Sequence, residues 1–117
     1  MIDRLNPGRR YSDAVSHNGL IYAVEVPVSE TDDIRHQARE VLAALDATLA
    51  LADSNKERLL MATIYLTDMA DYDEMNAVWE DWLPPGAAPS RACVQVAALA
   101  HPGWRIEIAV VASAVRS

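Results

Sequence analysis

The chain has 117 residues, a length that suits one domain spanning 1–117, and no stretch approaches the roughly 18–20 consecutive apolar residues of a membrane span. Its net charge of −7 disfavours a phosphate-binding surface, because nucleic-acid affinity rests on lysine and arginine neutralising phosphates. A single cysteine excludes an intramolecular disulfide, and a start reading Met1-Ile2-Asp3-Arg4 lacks the apolar core of a secretory signal, so the expected setting is a reducing cytoplasm with no membrane and no nucleic-acid partner.

In chain order, Asn6-Pro7-Gly8 is a turn signal. Tyr11 to His17 reads as a first strand, Asn18-Gly19 as a hairpin turn, and Leu20 to Val26 as a second strand. Glu25 is the odd residue in that apolar run. It is either a solvent-facing strand residue or a carboxylate at a subunit interface or pocket. Ser29-x-x-Asp32, with Glu30 and Asp33, marks a helix start, since carboxylates suit the positive end of the helix dipole. Ile34, Ala38, Val41, Leu42, Leu45, Leu49 and Ala52 follow at helical spacing, which predicts an amphipathic helix with one face for a sheet. Asp53-Ser54-Asn55 ends it.

Leu59 to Thr67 predicts a third strand, and Asp71-x-x-Glu74 opens a second helix with Tyr72, Met75, Trp79 and Trp82 or Leu83 on its apolar face. Pro84-Pro85-Gly86 stops that helix, because proline supplies no amide hydrogen. Asn76 lies mid-helix, either as a surface residue or as a donor reaching toward a pocket. His17, His36 and His101 are scattered without metal-ligand spacing, and four glycines leave little room for a phosphate loop. No metal and no cofactor are expected.

The last two strands carry the chemistry. Ala88 to Val96 and Trp104 to Val110 both alternate and are rich in β-branched residues. Successive side chains of a strand point to opposite faces. Ala92, Val94 and Val96 therefore share one face, and Arg91, Cys93 and Gln95 the other. In the second run Trp104, Ile106, Ile108 and Val110 go one way, and Arg105, Glu107, Ala109 and Val111 the other. If the apolar sets cover a core, Arg91, Cys93 and Glu107 look out of it together. Arg91 and Glu107 then form either a cross-strand ion pair or a site that binds and processes a small anion. The order β-β-α-β-α-β-β predicts an α+β two-layer domain, a mainly antiparallel sheet packed by two helices. Several strands are apolar on both faces, so the second sheet face needs cover, most cheaply from another copy of the chain.

Pro89-Ser90-Arg91-Ala92-Cys93-Val94 followed by Ile106-Glu107-Ile108 resembles the C-terminal signature of the RidA/YjgF family of enamine/imine deaminases, Pro-x-Arg-x-Cys-Val and then a strand reading Ile-Glu-Ile. The hairpin, the long helix, the strand ending at Thr67-Asp68 and the segment from Asp71 to Trp79 around Asn76 are similar as well, so the likeness spans nearly the whole chain. The resemblance implies a chorismate-mutase-like fold, a homotrimer with three clefts between subunits, and hydrolysis of 2-imino acids such as 2-iminopropionate and 2-iminobutyrate to 2-keto acids and ammonia. It also implies site residues. Tyr11 and Asn76 match positions that line the cleft, Arg91 the arginine that holds the substrate carboxylate, Cys93 a pocket-lining thiol, and Glu107 a carboxylate that orients water.

Residue chemistry fits. Arginine presents a planar fork that holds a carboxylate at two points, which lysine does not. A carboxylate can orient a water and take its proton. The chain departs from the family pattern before Pro27, where many members carry a Ser-Gly pair and a Gln and this chain has Ala23-Val24-Glu25. Losing the glycine narrows or reshapes the cleft, and Glu25 brings a negative charge toward a site meant for a carboxylate. Two functions remain open on these residues: an imine deaminase, or a trimer that binds small carboxylate metabolites without turning them over.

Overall fold

The computed structural model describes residues 1–115. Six strands form one sheet in the order β1-β2-β3-β6-β4-β5. They are β1 (Asp3–Leu5), β2 (Ala14–His17), β3 (Leu20–Glu25), β4 (Leu59–Leu66), β5 (Ser90–Gln95) and β6 (Ile106–Ser113). Every neighbouring pair is antiparallel except β4 and β5, which run parallel. That parallel step is possible because a helix lies between the two strands in sequence. Two helices, α1 (Ile34–Leu51) and α2 (Tyr72–Trp82), pack on one face, which makes the α+β two-layer arrangement.

The core forms between α1 and that sheet face. Ile34, Ala38, Val41, Leu42, Leu45 and Leu49 recur at helical spacing and are buried against Ile21, Ala23, Ala62, Ile64, Leu66, Ile106, Ile108, Val110 and Ala112. Asp33 caps the helix, its side chain accepting from the His36 N–H, and Asp53 leaves it with a left-handed backbone. Gln37 is fully buried in the first turn of α1. Its amide donates to the Gly103 carbonyl at 2.9 Å and accepts from the Arg105 N–H at 2.8 Å, so the helix clamps the loop that leads into β6. That loop lies close enough that a Cβ on Gly103 would sit 1.5 Å from the Glu30 carbonyl oxygen, and only glycine fits there.

The opposite face carries no helix. Its rows run Val15–Tyr22–Val111–Met61, then Val24–Ala109–Thr63–Ala92, then Glu107–Tyr65–Val94. The first row continues from Val15 to Arg4 of β1, and Glu107 is the one carboxylate in these rows. Val24 is 51% exposed and Tyr22 47%.

Three expectations change. The strand β1 is new: Asp3-Arg4-Leu5 is short and polar, an edge element with no apolar alternation to announce it. Arg91 and Cys93 do not share a face with Glu107. They lie in register with Ala62 and Ile64 on the helix side, whereas Ala92 and Val94 lie on the open face with Tyr65 and Glu107. An Arg91–Glu107 cross-strand pair is therefore ruled out within one chain, because β4 separates β5 from β6 and the two side chains leave opposite faces.

Candidate functional site

The site is built at the sheet edge, where α2 returns the chain to β5. Placing Arg91 on the helix side of an edge strand sets its guanidinium under α2. Nη1 donates to Asn76 Oδ1 at 2.8 Å, and Nη2 lies 3.3 Å from the Tyr72 hydroxyl. The guanidinium carbon stands 5.5 Å from the centre of a Trp79 ring and 5.8 Å from that of Tyr72, in reach of a cation–π attraction. The ion pairs among the described residues use Arg35, His36, His101 and Arg105, so Arg91 is fixed by neutral groups and has no ion-pair partner among those residues. It lines a hollow of about 470 Å³ with Tyr72, Asn76, Trp79, Leu83 and Pro89 among its walls, and Glu80 is the one carboxylate there. A held guanidinium with no ion-pair partner, in a hollow of mixed polar and apolar walls, suits a small carboxylate, with Glu80 opposing in part.

Tyr72 and Trp79 are the residues that sequence reasoning assigned only to packing. Their signal was present: they stand four residues before and three after Asn76, which puts all three on one helix face.

Cys93, two residues along β5, is half-buried and packs on the core edge. Burial pushes its thiol above the ordinary value, with the Arg91 charge opposing in part. The neutral thiol is thus favoured, and Cys93 is not among the residues that line the hollow at Arg91.

The remaining candidates lie elsewhere in the chain. Glu107 is half-buried on the open face, opposite Tyr65. Tyr11 is exposed on the loop between β1 and β2, at the rim of a hollow of about 430 Å³ on that same open face, shared with Val15, Tyr22, Val24, Met61 and Thr63. Glu25 ends β3 on the helix side, and its carboxylate accepts from the Thr48 hydroxyl at 2.6 Å. Burial holds that carboxyl above its ordinary 4.5, the Thr48 bond opposes this, and the Asp13 charge adds to it. The register Glu25–Ile108–Ile64–Cys93 puts two strands between Glu25 and β5. So the structure brings Arg91 and Asn76 together, sets Cys93 on the same face of β5 outside the hollow's lining, and leaves Glu107, Tyr11 and Glu25 apart from them. Among the described residues no three His, Cys, Asp or Glu side chains gather as metal ligands, and no helix is long and apolar enough to cross a membrane.

The chain is similar in sequence and fold to known proteins. Residues 1–114 match the family described as Endoribonuclease L-PSP. A RutC family protein of Haemophilus ducreyi is 43% identical over 114 residues, covering 97% of each chain. The RutC family protein YoaB of Escherichia coli strain K12 is 40% identical over 112 residues, covering 96% of this chain and 97% of its own. The crystal structure of NMB1025, a member of the YjgF protein family from Neisseria meningitidis, superposes with a TM-score of 0.94 at 44% identity, covering 100% of this chain and 98% of that one. By sequence and by fold, the chain belongs to the RidA/YjgF family.

Proposed function

We propose that this protein hydrolyses reactive 2-imino acids to 2-keto acids and ammonia, in clefts formed between copies of a homotrimer. The observation that carries the reading is the Arg91 guanidinium, oriented by Asn76, Tyr72 and Trp79 and left without a carboxylate partner. A 2-imino acid supplies that partner. The family resemblance supplies the second half of the site, Glu107 and Tyr11. Both lie on or beside the open face, so they meet Arg91 only if another copy covers that face.

Such cover is physically reasonable. The open rows are apolar, and a lone carboxylate among them is costly to bury unless something pairs with it. In the proposed cleft, Arg91 of one copy holds the substrate carboxylate and Glu107 of the next holds a water against the imine carbon. The water oxygen bonds to that carbon as its proton passes to Glu107, and the imine nitrogen takes up a proton. The resulting amino alcohol collapses: Glu107 returns its proton to the amine, the C–N bond breaks as the hydroxyl gives up its proton and the C=O bond forms, and ammonia leaves. Positioning of the two reactants supplies much of the acceleration.

One observation favours the alternative, a trimer that binds small carboxylates without chemistry. Within one chain Glu107 faces Tyr65 and Val94, and no side-chain hydrogen bond among the described residues aims its carboxylate. The deciding measurement is keto-acid release from 2-iminopropionate and 2-iminobutyrate, beside affinity for 2-oxobutanoate. Hydrolysis predicts faster release that is lost in Arg91→Ala and Glu107→Gln. Binding alone predicts affinity for 2-oxobutanoate, lost in Arg91→Ala, with release no faster than in buffer.

A further inference from the structure

The loop from Asn6 to Asp13 has a feature that the proposed hydrolysis does not use. Its neck is closed by the Asp13 N–H donating to the Leu5 carbonyl at 2.9 Å and by Asn6 Nδ2 donating to Asp13 Oδ2 at 3.0 Å. Asn6 takes a left-handed backbone at φ 48°, which asparagine tolerates. At the tip the Gly8 N–H donates to the Tyr11 carbonyl at 2.8 Å, leaving Arg9 and Arg10 as the two residues of a tight reversal. Both arginines line a depression of about 620 Å³, together with Asn6, Gly8, Tyr11 and Asp13.

Two adjacent guanidiniums repel each other, and neither is among the ion pairs of the described residues. Asp13, the one carboxylate in the depression, accepts from the neutral Asn6 amide and offsets one of the two arginine charges, which leaves the depression net positive. In a chain of net charge −7, this is a local concentration of positive charge on a braced loop. Such a spot draws anions out of an otherwise repelling field.

We propose that Arg9 and Arg10 form an acid-binding subsite that favours substrates carrying a second carboxylate. The placement of this subsite at the substrate rests on the cleft reading above, since Tyr11 lines both the depression and the hollow on the open face. A dicarboxylic 2-imino acid would then be held at Arg91 by the carboxylate next to the imine and at Arg9 and Arg10 by the distal one.

The test is calorimetric titration of the assembled wild-type protein with 2-oxoglutarate and with 2-oxobutanoate at low salt, repeated on the double variant Arg9→Gln/Arg10→Gln and on Arg91→Ala. The wild type should prefer 2-oxoglutarate by about three- to tenfold, the range of one or two exposed charge pairs, and the preference should shrink with added salt. The double variant should bind both keto acids equally, with its affinity for 2-oxobutanoate and its sedimentation unchanged. A wild type without preference, or a preference that survives in the double variant while Arg91→Ala loses both ligands, overturns the subsite and leaves the hydrolysis reading standing. Succinate binding that the double variant abolishes, in a protein indifferent to 2-oxobutanoate, upholds the acid site and counts against the hydrolysis reading. If succinate, inorganic phosphate and both keto acids all fail to bind, the subsite is wrong.

Discussion

The two faces of the sheet are built from the same strands and do opposite work. On the helix side, Ile64, Ile106 and Ile108 are sealed by α1 and α2, and the chain satisfies itself. One residue further along each strand, Tyr65 and Glu107 look away from both helices. Arg91 belongs to the first face and Glu107 to the second. The difference teaches that one copy keeps Arg91 and Glu107 apart, so the proposed cleft needs a second copy to bring the two together.

The sharpest way to break this comparison is to mix variants. Arg91→Ala and Glu107→Gln should each be nearly inactive alone, with general-base loss at Glu107 worth about 10²–10⁴-fold. If each cleft takes Arg91 from one copy and Glu107 from the next, an equal mixture allowed to exchange subunits contains clefts with both residues intact, giving about a quarter of wild-type activity in a cyclic trimer. No recovery after exchange, verified by mass spectrometry of the mixed species, would remove the two-copy cleft.

Next in size are substitutions that treat the two faces differently. Ile64→Ala on the sealed face should lower unfolding free energy by about 2–5 kcal/mol, read from denaturant midpoints, because it leaves a cavity in a packed core. Val24→Asp on the open face should leave secondary structure intact but dissociate the assembly, since an unpaired charge in an apolar contact costs several kcal/mol. Sedimentation of the wild type near three times the monomer mass, and of Val24→Asp near one, is the expected result. Equal masses for the two would mean that the open face is not the contact.

The smallest effect concerns Glu25, which sits on the sealed side. Its carboxyl is held above its ordinary 4.5 by burial, against the Thr48 bond and with the Asp13 charge adding to the rise. The folded state therefore holds this proton more tightly than the unfolded chain. The stability it contributes is full below about pH 4.5 and is lost as pH rises through the folded value. Glu25→Gln should consequently raise the melting temperature at pH 7, and the gap should close toward pH 4. Glu25 is partly solvated, so the gain should stay within about 1 kcal/mol. A gap that widens toward low pH would contradict the sign.

Much of the fold could be read from periodicity. The α1 stripe from Ile34 ends within a residue of its expected limit, and Ile106, Ile108 and Val110 face the core as their alternation requires. Alternation fixes which residues share a face, but not which face the helices cover. In β5 that ambiguity mattered. Ala92 and Val94 look like core residues, yet they serve the apolar open face, while Arg91 is accommodated on the helix side because Tyr72 and Trp79 offer it ring faces. The hydrogen bond from Arg91 to Asn76 was beyond reach of spacing, because it depends on how α2 lies over β5. The resemblance named both residues without giving their geometry.

The parallel pairing of β5 has a further consequence for motion. This strand has one neighbour, β4, and its outer row of backbone groups has no strand to bond. Local opening free energies are lowest where few bonds and little buried surface hold a segment. In an isolated copy, amide exchange at β5 should therefore outpace that of β6, which is flanked on both sides. On the proposed binding of a keto acid at Arg91, exchange should slow in this strand first, before any change reaches the centre of the sheet.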